Sequence, residues 1–182
     1  PILQCASRTC RRVSSLLFRM NAATALPPTT EGVSRMSAYL HYGMVSPFRL
    51  AREASQQNTE GGQKYVDELL IWRELAYTFC AFRDDLETLE VLPDWARKSL
   101  EDHAGDPRPE TYSWEELARG KTDDPFWNLA QTSLLRQGEL HNNVRMTWGK
   151  AIMAWKERPE QALEALIDLN HRYALDGRDP AS

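Results

Sequence analysis

Helix-start signatures recur along this chain and strand signatures do not, and that contrast most constrains its fold. Ser46-Pro47 reads as an N-cap followed by proline at the first helical position. Ser113-Trp114-Glu115-Glu116 is a capping box, in which serine and glutamate satisfy each other's backbone N–H groups. Asp124-Pro125 repeats the cap-plus-proline pattern, Asp94 is placed to cap a short helix through Leu100, and Pro159 opens a last helix to Tyr173. No strand-length run alternates apolar and polar residues with period two. The expected fold class is all-α, an irregular helical cluster.

The same pattern predicts helices over 36–42, ending at Gly43, over 47–55, over Tyr65 to Phe82 and over Leu140 to Lys156, with Gly177 as a stop beyond the last helix. Gln56 to Gly62, with its glycine pair, and Asp102 to Thr111, with Pro107 and Pro109, read as loops. Residues 1–31 are expected to form an irregular basic segment, charged by Arg8, Arg11, Arg12 and Arg19 and closed by the linker-like Pro27-Pro28-Thr29-Thr30, read as a frayed arm, with contact with nucleic acid as the alternative. Residues 32–182 are expected to form one domain, long enough to bury a real core.

No run approaches the length of a membrane span, so no membrane partner is expected. Cys5, Cys10 and Cys80 lack metal-ligand spacing, so no metal is expected. Cys80 lies among apolar residues and reads as a small core residue in a reducing, cytoplasmic setting. A net charge of −4 means that any phosphate-binding surface must be a local patch.

Three helix faces depart from an ordinary amphipathic pattern. At 100° per residue, His141, Arg145, Trp148, Ile152 and Trp155 fall within about 80° of one another. The apolar end of that stripe faces a core, which does not accept an unpaired arginine. Arg145 is therefore either ion-paired at the core edge or turned toward an anionic ligand. On the Tyr65–Phe82 helix, Glu68, Trp72, Leu75, Phe79 and Phe82 share one side. Residues 69–72 are apolar nearly all round, so this helix is expected to be well buried. Glu68 is either a first-turn carboxylate answering the helix dipole or a hydrogen-bond partner for a ligand in a dry pocket. Trp148 and Trp155 lie about 10 Å apart along one helix axis, a spacing that suits electron hopping as well as plain core packing. Trp127 joins them as a third indole.

His141-Asn142-Asn143-Val144-Arg145-Met146-Thr147-Trp148 and the segment Asn170 to Asp179 together resemble the flavin-cradling core of the DNA photolyase and cryptochrome family. The resemblance is greatest to class II cyclobutane pyrimidine dimer photolyases. Val33 to Gly43 resembles the stretch that wraps the FAD phosphates, with Ser34 and Ser37 at hydroxyl positions and Met36 between them. Val33 stands where many members carry a hydroxyl. Asp67 to Leu75 resembles the substrate-pocket helix. Several separated motifs agree in order and spacing over roughly residues 32–180.

The resemblance implies the fold of the C-terminal FAD-binding helical domain and light-driven repair of cyclobutane pyrimidine dimers by electron transfer from reduced, anionic FAD. The partner would be UV-damaged DNA with the dimer flipped into a pocket. Glu68 would hydrogen-bond the dimer, with Trp72, Arg73, Asn142 and Met146 around it. Asn170 would face flavin N5, and Arg145 would pair with Asp176 beside the ring. Ser34, Met36, Ser37, Gly177 and Asp179 would complete the cofactor site. Trp148, Trp127 and Trp155 would carry electrons to an oxidised flavin. A monomer acting on the nucleoid in a bacterial cytoplasm is expected. Family members also carry an N-terminal α/β domain, often with an antenna chromophore, and continue past the Asp-Gly-Arg-Asp-Pro segment. No βαβ signature stands here, so the antenna is not expected in this chain, which reads as part of a longer parent protein. Two alternatives remain: a flavin-binding light sensor of the cryptochrome kind, which would not need Glu68 and Trp72, and a truncated, inactive helical domain.

Overall fold

A computed structural model describes residues 33–182, so the basic segment expected at 1–31 lies outside the described residues. Among the described residues every regular element is helical. The chain clusters into two compact units, one reaching to Ala81 and including Asp179–Ala181, the other comprising Phe82–Arg178 and Ser182.

The first unit contains α1 (Ser37–His41), α2 (Pro47–Gln56) and α3 (Glu60–Asp67), which runs through a π-helical turn (Glu68–Trp72) into α4 (Arg73–Ala81). Pro47 stands in the first turn of α2 after an extended Ser46, as expected. The stretch expected to be a loop through Gly62 instead starts α3 at Glu60. Thr59 caps that start, its hydroxyl accepting the Gly62 N–H at 3.1 Å. The glycine pair marks close packing rather than a turn: a Cβ on Gly62 would lie 2.6 Å from the Ala54 carbonyl oxygen on α2.

Met36, Leu50, Ala54, Tyr65 and Leu69 form this unit's core. The helix after residue 68 is not well buried. Leu69 is covered, but Leu70 and Ile71 are exposed and Trp72 is 62% exposed. Within the unit α2 packs on α3 and its π turn, with Tyr39 and Leu40 of α1 against the same core, and this cover reaches one stripe. Residues apolar all round therefore leave most of their surface open. Cys80 is only half-buried, not a core residue.

The second unit contains a 3₁₀ turn (Leu89–Val91), α5 (Asp94–Asp102), α6 (Trp114–Arg119), α7 (Pro125–Gln137), α8 (Asn142–Trp155) and α9 (Pro159–Tyr173). The Ser113 capping box is complete, with the Glu116 carboxylate accepting the Ser113 N–H at 2.8 Å. Asp124 accepts the N–H groups of Phe126 at 2.9 Å and Trp127 at 3.0 Å. Pro93, not Asp94, occupies the N-cap of α5, and Asp94 sits in its first turn.

Leu117, Trp127, Leu134, Trp148, Ile152, Trp155 and Leu169 pack as one core. Inside it sits Gln131, fully buried. Its Nε2 donates to the Ala118 carbonyl at 3.1 Å, and its Oε1 accepts the Trp148 indole N–H at 3.0 Å. Gln131→Leu keeps the volume but leaves both partners unsatisfied, so it is expected to cost about 2–4 kcal/mol. Urea unfolding followed by tryptophan fluorescence reads this directly, and a loss below about 1 kcal/mol would mean the bonds are replaced locally.

Candidate functional site

In the second unit three predicted side chains come together at the ends of α8 and α9. His141 is not on the α8 face, as its place in the stripe suggested. Its backbone is extended and its Nδ1 caps the helix by accepting the Asn143 N–H at 3.2 Å. Arg145, one turn in, donates from Nη2 to Asp176 Oδ1 at 2.9 Å and from Nη1 to Ser182 Oγ at 2.5 Å. Asn170, in the last turn of α9, donates from Nδ2 to the Gly177 carbonyl and to the same Ser182 Oγ, both at 3.2 Å. One oxygen thus receives bonds from Arg145 and Asn170, which shows that the two side chains aim at a common point. Asn170 Oδ1 is buried and receives no hydrogen bond. An orphaned buried acceptor beside an arginine suits a ligand that brings its own N–H and negative charge. Asn142 and Met146, four residues apart, are both exposed on one side of α8.

Gly177 is not the helix stop. Ala174, in extended conformation, follows the last residue of α9. The glycine lets the returning chain touch the helix end: a Cβ there would lie 2.1 Å from the Asn170 carbonyl oxygen. Gly177→Ala must push backbone from backbone, so a loss of about 1–3 kcal/mol is expected, with Asn170 displaced. A melting temperature equal to wild type would refute the close approach.

The three predicted tryptophans are all buried and in contact. Trp127 stacks on Trp148 at 6.0 Å between ring centroids and 5° between planes, and meets Trp155 edge-on at 5.3 Å. Trp127, from α7, therefore bridges the two indoles of α8. Its N–H donates to the Trp148 carbonyl at 3.0 Å. Tyr112 extends the series, 5.0 Å from Trp155 at 84°. The sequence reading missed Tyr112, which lies in the irregular stretch before α6, where no periodicity points. It also missed Gln131, whose signal was a polar residue four positions after Trp127 and three before Leu134, on the buried face of α7.

In the first unit, Ser34 Oγ accepts the Met36 N–H at 3.4 Å, and Ser37 opens α1. The Met36 side chain is buried in the core, so only its backbone can meet a ligand. Arg35 has φ +53°, followed by a right-handed Met36. That alternation turns successive N–H groups to one side, as in anion-binding nests.

Glu68 and Trp72 are the first and last residues of the π turn. Such turns inside α-helices concentrate at functional sites. Glu68 lies well past the start of α3, so it is neither a first-turn residue nor on a buried face. It is exposed and 3.4 Å from Lys64 Nζ.

Arg73 reaches Asp179 with both nitrogens, at 2.6 and 2.9 Å. Tyr77 OH donates to Asp179 Oδ2 at 3.2 Å, the Ala181 N–H donates to Oδ1 at 3.0 Å, and His41 Nδ1 stands 3.5 Å from Oδ2. Burial alone would push the Asp179 carboxyl up. The Arg73 bonds, the Ala181 N–H and the arginine charge reverse this and hold it below the usual carboxylate range.

No protein-family model matches the chain. Curated proteins do. A deoxyribodipyrimidine photo-lyase of Methanothermobacter thermautotrophicus is 41% identical over 155 residues, covering 84% of this chain and 34% of the relative. The protein of the same name from Arabidopsis thaliana is 42% identical over 158 residues, covering 85% and 32%. That from Potorous tridactylus is 40% identical over 156 residues, covering 84% and 29%. The chain spans about a third of the length of these relatives.

Proposed function

The chain belongs to the photolyase family, and from that premise we propose that it is part of the catalytic domain of a light-driven enzyme that splits cyclobutane pyrimidine dimers in UV-damaged DNA. The observation that carries this reading is the free, buried Asn170 Oδ1 beside the Arg145–Asp176 pair, in a chain about 40% identical to photo-lyases. FAD, held by the residues below, would when bound and reduced supply the electron for opening the dimer's ring.

The protein's own residues orient and tune. Arg145 places a fixed positive charge that favours an anionic flavin, and Asp176 holds Arg145 in position. Gly177 accepts one Asn170 N–H and so fixes the amide, whose Oδ1 would then be free to accept a hydrogen bond from flavin N5. In the first unit, Ser34, Ser37 and the Met36 backbone bind phosphate. Asp179 braces α1 through His41 and fixes Arg73 on the lesion-binding helix. In the first unit Glu68 accepts a hydrogen bond from the lesion and Trp72 packs on it; in the second, the exposed Asn142 and Met146 are further candidate substrate contacts. The tryptophans return oxidised cofactor to its working state. The longer protein is read as a monomer acting on DNA in the cytoplasm.

The test is an absorption spectrum of the full chain after incubation with FAD, dark and under blue light with a reductant. Bound flavin bands that bleach are expected, followed by repair of a thymine-dimer oligonucleotide. Bleaching without repair would favour the light-sensor reading. A chain that stays colourless would favour the inactive helical domain. Asn170→Ala is expected to change flavin photoreduction, and an unchanged rate would remove its N5 role.

A further inference from the structure

The relay's outer end differs chemically from its interior. The indole N–H groups of Trp127 and Trp148 are bonded to the Trp148 carbonyl and to Gln131 Oε1. These neutral amide oxygens cannot keep a proton, so an electron vacancy on either ring stays a mobile radical cation. The Tyr112 hydroxyl lies 3.0 Å from Glu110 Oε2 and 3.2 Å from Asp123 Oδ2, and accepts the Asp123 N–H at 3.1 Å. Lys156, next to Trp155 in sequence, donates to the Tyr112 carbonyl at 2.7 Å and ties the loop to the end of α8.

We propose that Glu110, seconded by Asp123, is the proton acceptor for oxidation of Tyr112, so that a vacancy reaching Trp155 is trapped as a neutral tyrosyl radical. The inference rests on the relay reading of the three tryptophans. In the step, an electron passes from the Tyr112 ring to the Trp155 radical cation. The phenolic O–H bond breaks, and the proton forms an O–H bond on the Glu110 carboxylate. The products are neutral Trp155, a neutral Tyr112 radical and a protonated Glu110. The oxidant behind the Trp155 cation is a photoexcited oxidised flavin in the proposed holoenzyme.

Oxidising a phenol that keeps its proton is uphill, and a carboxylate already hydrogen-bonded to it removes that obstacle without solvent rearrangement. The resting phenol also has its proton to give. The Asp123 N–H, the largest single influence, draws its pKa down. Partial desolvation, the Glu110 bond and the two carboxylate charges outweigh it and hold the phenol above its ordinary value.

The test injects the vacancy without flavin. A ruthenium polypyridyl photo-oxidant is flashed with the full chain, and radicals are followed by transient absorption and electron paramagnetic resonance in H₂O and D₂O. The wild type is expected to give a tyrosyl signal that grows more slowly in D₂O. Tyr112→Phe should remove that signal and leave tryptophan radicals. The double variant Glu110→Gln, Asp123→Asn alters exposed positions, so its fold should persist. It should slow tyrosyl growth at least about tenfold and lengthen the tryptophan radical's life. A tyrosyl signal that survives Tyr112→Phe, or that forms in the double variant with wild-type rate and isotope effect, overturns the proposal. An isotope-sensitive Tyr112 radical in a chain whose bound flavin does not photoreduce would support this step while removing the relay reading.

Discussion

Asp179→Ala is expected to destabilise the first unit by about 3–5 kcal/mol, the range for breaking a buried ion pair on one side. The Asp179 side chain is 2% exposed and that of Arg73 13%. Removing the carboxylate takes their shared acceptor from the Tyr77 phenol and the Ala181 N–H and leaves the Arg73 charge without its counter-ion, although Nη2 still donates to the Tyr77 oxygen at 2.6 Å. Most of the loss is thus the cost of a stranded charge. Replacing both partners, as in Arg73→Met with Asp179→Leu, should recover much of it. Arg49–Glu53 offers the contrast within the same unit: its bond is equally short at 2.8 Å, but the arginine is 43% exposed. Breaking it is expected to cost at most about 0.5 kcal/mol. The Asp179 pair also sets a pH dependence. Its carboxyl pKa is lowered in the folded state, so its contribution is complete above the ordinary carboxylate range. It is lost as pH falls through the folded value. Urea midpoints at neutral and acid pH should therefore converge between wild type and Asp179→Ala. A neutral-pH difference under about 1 kcal/mol would show that water satisfies Arg73 instead.

What the sequence made legible was local chemistry. Ser113 and Asp124 cap their helices through hydrogen bonds that span at most three residues, so the residues themselves announce the bond. The misreadings are those where a distant partner decides. The glycine pair at 61–62 carries a turn's composition, yet Gly62 is small because Ala54 on another helix lies against it. His141 fits a helix stripe by angle, but its ring finds the Asn143 N–H first and the helix begins after it. The π turn at Glu68–Trp72 breaks the 3.6 period that placed Glu68 and Trp72 on a buried side. Periodicity left Arg145 open between two readings. Its pairing with Asp176, 31 positions on, came only with the resemblance. The Arg73–Asp179 bond joins positions 106 apart and follows from no local pattern.

Trp127→Phe is expected to slow photoreduction of bound flavin at least about tenfold while leaving the fold standing. Phenylalanine fills most of the indole's space, so the structural cost should be about 1–3 kcal/mol, including the lost bond to the Trp148 carbonyl. Its ring is much harder to oxidise. The vacancy must then cross from Trp148 to Trp155 without the indole that stacks on one at 6.0 Å and touches the other at 5.3 Å. Position in the chain of rings separates electron transfer from packing. Trp155→Phe removes an equally buried indole but leaves the stacked Trp127–Trp148 pair, so it should slow photoreduction less. A purely structural role predicts similar effects for both, scaled by stability. Chemical reduction of the same flavin by dithionite bypasses the relay and should proceed at wild-type rate in either variant. Equal photoreduction by Trp127→Phe and wild type would reduce the three indoles to core packing. The support for a flavin would then rest, among the described residues, on the orphaned Asn170 oxygen, the Arg145–Asp176 pair and the Ser34–Ser37 nest.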